Sequence, residues 1–279
     1  MKNALFIGHL GMGDQFYQVG IVRYLRKYYD NVYVVCKDKT LKNMQQMYSD
    51  DPNILFISVK HDGEISIHYG CPQHIFAQYL NRYKINNIFC VGFHKHGLSA
   101  TYPNEIYDLP FSFYNDINIP VQSFWEDFKI NKNGKEEELY NILKQHNIED
   151  YVFIHNSCSS GDVFKISYIE NNFNLDKNNI LFVNPIHNVY EKNHKFYEVA
   201  QKFVFKNILE YTSVIENANH IFVSDSGFFG LVVQLPIKTN NCYYLPRTKG
   251  SYGYNYEHWW SDKYKSKNSN KKRFKLLKI

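Results

Sequence analysis

The sequence predicts an α/β chain of two Rossmann-like halves facing each other across a cleft, and three observations carry the prediction. Short β-branched and aromatic runs alternate with helix-period segments. That grammar starts again after the midpoint of the chain. The first run ends in a glycine-rich turn, Gly8-His9-Leu10-Gly11-Met12-Gly13-Asp14, ahead of a helical pattern, which is the opening of a βαβ unit. At 279 residues the chain lies at the upper edge of what one hydrophobic core organises, so two domains of roughly 130 residues each are expected.

In chain order, residues 4–8 read as a buried strand, and Val19, Val22 and Leu25 then recur at helical spacing in a segment that starts at Asp14. Further strands are predicted at 31–36, 54–59 and 88–92, with helix-compatible segments near 40–49 and 73–83. Between 97 and 131 the pattern breaks into aromatics and prolines, namely Pro103, Pro110 and Pro120. A charged amphipathic helix resumes at 136–146, and the domain junction is expected near residue 148. The second half offers strands at 151–155, 179–183, 221–224 and 242–245. One helical face carries Ile208, Thr212, Ile215 and Ala218, and a short helix at 231–235 is stopped by Pro236. The predicted organisation is therefore 1–148 as a first Rossmann-like domain, 149–262 as a second, and 263–279 as a basic tail.

Bulk composition narrows the class. With 44% hydrophobic and 17% aromatic residues there is ample surface to bury, which excludes global disorder. Five cysteines at irregular spacing, with no C-x-x-C pair, suggest neither a disulfide framework nor a zinc cage. No apolar leader and no long apolar run occurs, so a soluble cytoplasmic protein is expected. The net charge of +5 is concentrated in residues 261–279, which carry +7 and leave the rest at −2, so nucleic acid is not an expected partner. The tail itself, with Lys271-Lys272-Arg273, reads either as a solvated terminus or as a weak contact to an anionic membrane or partner.

Turns after strands hold the candidate chemistry. The first turn is Gly-x-x-Gly-x-Gly-Asp rather than the Gly-x-Gly-x-x-Gly of dinucleotide binders, and Asp14 puts a carboxylate where a phosphate would sit. That favours an acceptor-side role for Gly11, Gly13 and Asp14. Asp14 itself has two readings, a helix N-cap or a general base for an acceptor hydroxyl. His94 and His96, in the turn after the fourth strand, are alternative bases. The aromatic stretch from Tyr102 to Phe128, with Trp125, is either sugar-stacking surface or core.

Three loops of the second half converge on one crevice if the sheet is parallel. The first contains His155, Asn156, Ser157 and Ser159, with Lys165 just beyond; the second contains Asn184 and Asn188; the third is Asp225-Ser226-Gly227. Small hydroxyl and amide residues before a helix start suit phosphate and sugar hydroxyls, and Lys165 or Arg247 supplies countercharge. His155 is either a donor to phosphate or a strand-end histidine satisfied internally. Asp225 either orients the turn or bonds a ribose hydroxyl. No Asp-x-Asp pair occurs, so no metal is expected, nor is a bound cofactor. A P-loop and a Gly-x-Ser-x-Gly elbow are also absent from the sequence.

The Gly11-x-Gly13-Asp14 opening and the late Ser224-Asp225-Ser226-Gly227 resemble the GT-B glycosyltransferases, in particular the heptosyltransferase-like branch and, more broadly, the fucosyltransferase-like set. The resemblance implies Asp14 as the proposed base and Asp225 to Gly227 as contacts to a nucleotide diphosphate. Phe228-Phe229-Gly230-Leu231 departs from the histidine and small residues that heptosyltransferases usually place next, and no His-x-Arg-Arg signature occurs. The implied activity is metal-independent, inverting transfer of a sugar from a nucleotide-diphosphate sugar to the hydroxyl of a glycan or other acceptor. The alternatives are a non-catalytic nucleotide-sugar or glycan-binding protein and a NAD(P)-dependent oxidoreductase, the latter disfavoured by the glycine spacing.

Overall fold

Two parallel sheets, each wound in both directions from its first strand, form the frame of a computed structural model that describes residues 1–64, 73–92, 95, 109–158, 161, 163–245 and 274–276. The first sheet contains β1 (Asn3–Ile7), β2 (Asn31–Lys37), β3 (Ile54–Val59) and β4 (Ile85–Cys90), in the order β3-β2-β1-β4. Every pairing is parallel: Leu5 lies opposite Tyr33 and, on its other side, Ile88. The second contains β5 (Tyr151–His155), β6 (Leu181–Val183), β7 (His220–Ser224), β8 (Cys242–Leu245) and β9 (Lys275–Leu276), in the order β6-β5-β7-β8-β9, again all parallel.

Each predicted strand is present, and the reason is burial on both faces. Ala4 to Ile7 and Val32 to Cys36 are buried without alternation, as a parallel sheet covered by helices requires. Leu5, Ile7, Tyr33, Val35, Ile57 and Val59 share one face, the period-2 set, and pack with Phe76 and Leu10. The helix Val19–Arg26 turns Val19, Ile21, Val22 and Leu25 inward. Its outer residues Arg23 and Arg26 pair with Asp50 and Asp51 at 2.6 and 2.9 Å.

The described residues fall into two compact units, one within Met1–Asn131 and the other beginning at Lys132 and taking in β9. The division lies ahead of residue 148 because the helix Lys135–Gln145 belongs with the second unit. Ser213 Oγ bonds Glu137 at 2.5 Å, and Lys132 pairs with Glu216 at 2.7 Å. Residues 97–131, read as a break in the pattern, contain the helices Leu109–Asp116 and Ser123–Glu126 within their described part. The helix Ile166–Phe173 was also not anticipated. At the chain's end Lys275–Leu276 adds an edge strand beside β8, and Phe274 packs edge-on against Phe229 at 5.5 Å. Part of the segment read as a solvated tail is thus sheet; the rest of it lies outside the described residues.

Candidate functional site

A doubly wound sheet opens a crevice at the carboxyl ends of its strands where the winding reverses. In the first unit the reversal lies between β1 and β4, and in the second between β5 and β7. A histidine follows or ends the first strand of each unit: His9 just after β1, and His155 closing β5.

In the first unit the turn is fixed from below by two buried glutamines. Gln15 Nε2 and Gln18 Nε2 both donate to the His9 carbonyl, at 2.8 and 3.0 Å. Gln18 Oε1 then lies against Gly8, where a Cβ would stand 1.6 Å from it, so no side chain fits at position 8. The His9 ring is 7% exposed, packs at 4.7 Å on Phe113, and lies against the α-carbon of Gly92. Gly92 has φ +61°, a left-handed conformation, and a Cβ there would also meet His9 Nε2 at 2.2 Å. The Gly92 amide donates to Asp116 Oδ2 at 2.7 Å, which pins the turn after β4 to the helix Leu109–Asp116.

Asp14 is not the N-cap. The helix Met12–Tyr17 starts two residues earlier than expected, with Gly11 in extended backbone as its cap. Asp14 therefore sits in the first turn, favourably placed in the helix dipole. Its half-buried carboxylate folds back over Gly11, with Oδ2 2.6 Å from where a Cβ on Gly11 would be. Gly13 lies inside the same first turn. Trp125 is a correction: at 6% exposure it packs edge-on to Phe124 at 4.5 Å and near Phe111, so it is core of the first unit and offers no face to a sugar. His94 and His96 lie outside the described residues.

The second unit brings β5, β6 and β7 together as the sequence anticipated. His155 is 6% exposed, with its ring 4.6 Å from Phe228. Its Nδ1 stands 3.0 Å from Ser226 Oγ and 3.3 Å from Ser224 Oγ, while Ser224 Oγ donates to the Ser157 carbonyl. Burial pushes the imidazole pKa down to about 4, against a smaller opposing effect from a hydrogen bond to its own backbone. The ring is therefore neutral at ordinary pH. Ser226 is the half-exposed N-cap of the helix Gly227–Val232, and its hydroxyl makes no bond to that helix's own amides. Asp225 is buried, and its amide extends the β7–β8 ladder to Leu245 O at 3.2 Å.

Asn156 and Asn184 are structural partners rather than surface contacts. Asn184 Nδ2 donates to Asn156 Oδ1 at 3.0 Å, Asn156 Nδ2 donates to Phe164 O at 2.6 Å, and Asn184 Oδ1 receives the Ile186 amide at 2.8 Å. The pair ties the turn after β6 to the loop after β5, which closes on itself through the Ser157–Val163 bridge. Asn188 likewise has its amide engaged internally, with Tyr197 O at 2.9 Å and Gln201 Oε1 at 3.2 Å. Lys165 is exposed at the cap of the helix Ile166–Phe173. Ser159 and Arg247 lie outside the described residues.

The sequence assigns no role to His9, Gln15, Gln18 or Asp116, and it marks Ser224 only as the first residue of the late motif. A signal existed for the glutamines: two amides three residues apart on an otherwise apolar helical stretch point to a polar target beneath them. Among the described residues no group of three His, Cys, Asp or Glu gathers to hold a metal, and no helix is long and apolar enough to cross a membrane.

No protein-family model matches the chain, and no curated protein matches its sequence. Solved structures do match. The structure of a glycosyl transferase of family 9 from Veillonella parvula is 13% identical with a TM-score of 0.52, over 88% of this chain and 80% of its own. The E. coli ADP-heptose LPS heptosyltransferase II is also 13% identical, with a TM-score of 0.54, over 88% of this chain and 84% of its own. Identity this low speaks to architecture alone, and the GT-B-like expectation is met at that level: the chain has the two-part α/β fold of these glycosyltransferases.

Proposed function

We propose that the chain is a glycosyltransferase that moves a sugar from a nucleotide-diphosphate sugar to an acceptor hydroxyl, independently of metal and with inversion. The observation that carries the reading is the division of chemistry between the two reversal points. The second unit presents the hydroxyl of the N-cap residue Ser226, which makes no capping bond and lies 3.0 Å from a neutral buried histidine. The first presents a carboxylate, Asp14, on a turn fixed by Gln15 and Gln18. A donor diphosphate matches hydroxyl and amide donors, whereas an acceptor hydroxyl matches a carboxylate that takes its proton.

In this reading Asp14 removes the acceptor proton as the hydroxyl oxygen attacks the anomeric carbon. Attack from the face opposite the diphosphate inverts that carbon. The C–O bond to the diphosphate breaks, and Ser226, with the cation of Lys165 or Arg247, stabilises the charge that grows on the leaving group. Asp225 and Gly227 shape the turn after β7, while Asn156 and Asn184 hold the loop after β5 against the turn after β6, and Asn188 braces the segment beyond β6 through Tyr197 O. No protein nucleophile is needed. The two similar structures, one a family 9 glycosyl transferase and one an ADP-heptose LPS heptosyltransferase, support the donor class. Cytoplasmic residence, expected from the sequence, belongs to the same proposal.

The test is a panel of nucleoside diphosphates and nucleotide sugars scored by thermal stabilisation, followed by donor hydrolysis with and without EDTA. One or more nucleotide sugars should stabilise the protein, and hydrolysis should survive EDTA. A flat panel contradicts the donor reading, and activity lost to EDTA contradicts its metal-free part. Stabilisation by nicotinamide dinucleotides alone would instead favour the oxidoreductase alternative.

A further inference from the structure

We infer that His155 is a positioning residue: its ring carries its proton on Nδ1, donates it to Ser226 Oγ, and thereby turns the Ser226 hydroxyl outward as a donor for an anionic oxygen. The ligand part of this inference rests on the proposed donor site; the proton's location does not.

Counting protons leads to the assignment. A serine hydroxyl has one hydrogen and two lone pairs. The hydrogen of Ser224 is committed to the Ser157 carbonyl, so toward His155 Nδ1, 3.3 Å away, Ser224 offers only lone pairs. A bare ring nitrogen at that spot would set lone pair against lone pair in a buried site. A proton on Nδ1 makes the contact attractive, and the same proton serves Ser226 Oγ at 3.0 Å. Because the ring is neutral it has one N–H to place, which its own backbone shares with the two serines, so the tautomer decides the direction of the whole chain of bonds. Phe228, 4.6 Å from the ring, holds its plane.

Once Ser226 Oγ accepts from His155, its own hydrogen faces away from the ring. That hydrogen is not taken by the helix it caps. A hydroxyl so polarised suits an oxygen that only accepts, such as that of a phosphate, and suits poorly a sugar hydroxyl that must donate or a cation. His155 thus selects ligand chemistry through Ser226 without touching the ligand.

Two measurements test this. Long-range proton–nitrogen NMR on protein carrying 15N-labelled histidine reads the tautomer of His155 in the free chain. Nδ1–H is expected, and Nε2–H overturns the inference. Binding of inorganic pyrophosphate and of nucleoside diphosphates is then compared for wild type, Ser226→Ala, His155→Phe, His155→Asn and the Ser226→Ala/His155→Phe double variant. Each of Ser226→Ala and His155→Phe should weaken binding by about tenfold, and the double variant should be no worse than either. His155→Asn, which keeps an N–H near the Nδ1 position, should recover most of the affinity and supplies a folded variant if His155→Phe is unstable. Additive losses, or a His155→Phe variant that binds like wild type, overturn it. If wild type binds neither probe, the donor reading and the ligand part fail together, while the tautomer still decides where the proton sits.

Discussion

The carboxamide of Gln18 occupies the space in which a side chain on Gly8 would grow: a Cβ at position 8 would lie 1.6 Å from Gln18 Oε1. Both residues are buried, and Gln18 is held there by its bond to the His9 carbonyl. Gly8→Ala must push the amide off that carbonyl and is expected to cost about 1–3 kcal/mol of stability by overpacking. Gln18→Ala alone is milder, because Gln15 still serves His9 O. The double variant should be less destabilised than the sum of the singles, measured by denaturant unfolding. Strict additivity would mean that the two residues do not compete for one space.

Gly11 offers a way to move Asp14 without deleting it. Its backbone angles, φ −64° and ψ 141°, suit any residue, so Gly11→Ala brings no backbone strain. The new Cβ would stand 2.6 Å from Asp14 Oδ2, and the carboxylate must swing away. If Asp14 is the base, transfer should fall by roughly 10- to 100-fold, the scale of a misplaced catalytic group, with the melting temperature nearly unchanged. Unchanged turnover would speak against Asp14 as the base.

The pH dependence of stability follows from His155. Its folded pKa is about 4 against an ordinary value of 6.5, so between those values the unfolded chain binds the proton and the folded one does not. Folding stability contributed by this group is complete above about pH 6.5 and is lost as pH falls toward 4, amounting to roughly 3 kcal/mol in all. His220, also held down by burial, acts in the same direction. His155→Asn should flatten the acid limb of the stability profile relative to wild type; an identical acid limb would contradict a buried neutral imidazole.

The buried Asn156–Asn184 pair is predicted to be a keystone of the loops rather than a ligand contact. Asn184→Ala strands Asn156 Oδ1 and removes the acceptor of the Ile186 amide. Unfolding free energy should drop by about 1–3 kcal/mol. Hydrogen exchange should quicken locally at Ile186 and around Phe164. Loss of ligand affinity with no change in stability or exchange would reverse the assignment.

What was legible in the sequence was what local pattern and chain order dictate. Uninterrupted apolar runs marked the strands because both faces are covered, and the turn residues after them marked their carboxyl ends. The helices Leu109–Asp116 and Ser123–Glu126 went unseen because they are short, eight and four residues, and their starts lie near Pro110 and Pro120, which read as breaks. Trp125 was ambiguous, and its packing on Phe124 decides it. Asp14 appeared able to cap because Gly11 gives no side-chain signal of a helix start. The Asn156–Asn184 and His155–Ser226 pairs join residues 28 and 71 positions apart, a separation that only the order of strands in the sheet brings to hydrogen-bond distance.

The most direct measurement of the central claim, that donor binding and proton removal belong to different units, is donor dissociation constant and turnover determined side by side for Asp14→Asn and Ser226→Ala. Asp14→Asn should lower turnover by about 100-fold or more while leaving donor affinity within about twofold, and Ser226→Ala should weaken donor binding by about tenfold. Donor affinity lost in Asp14→Asn and kept in Ser226→Ala would contradict the account.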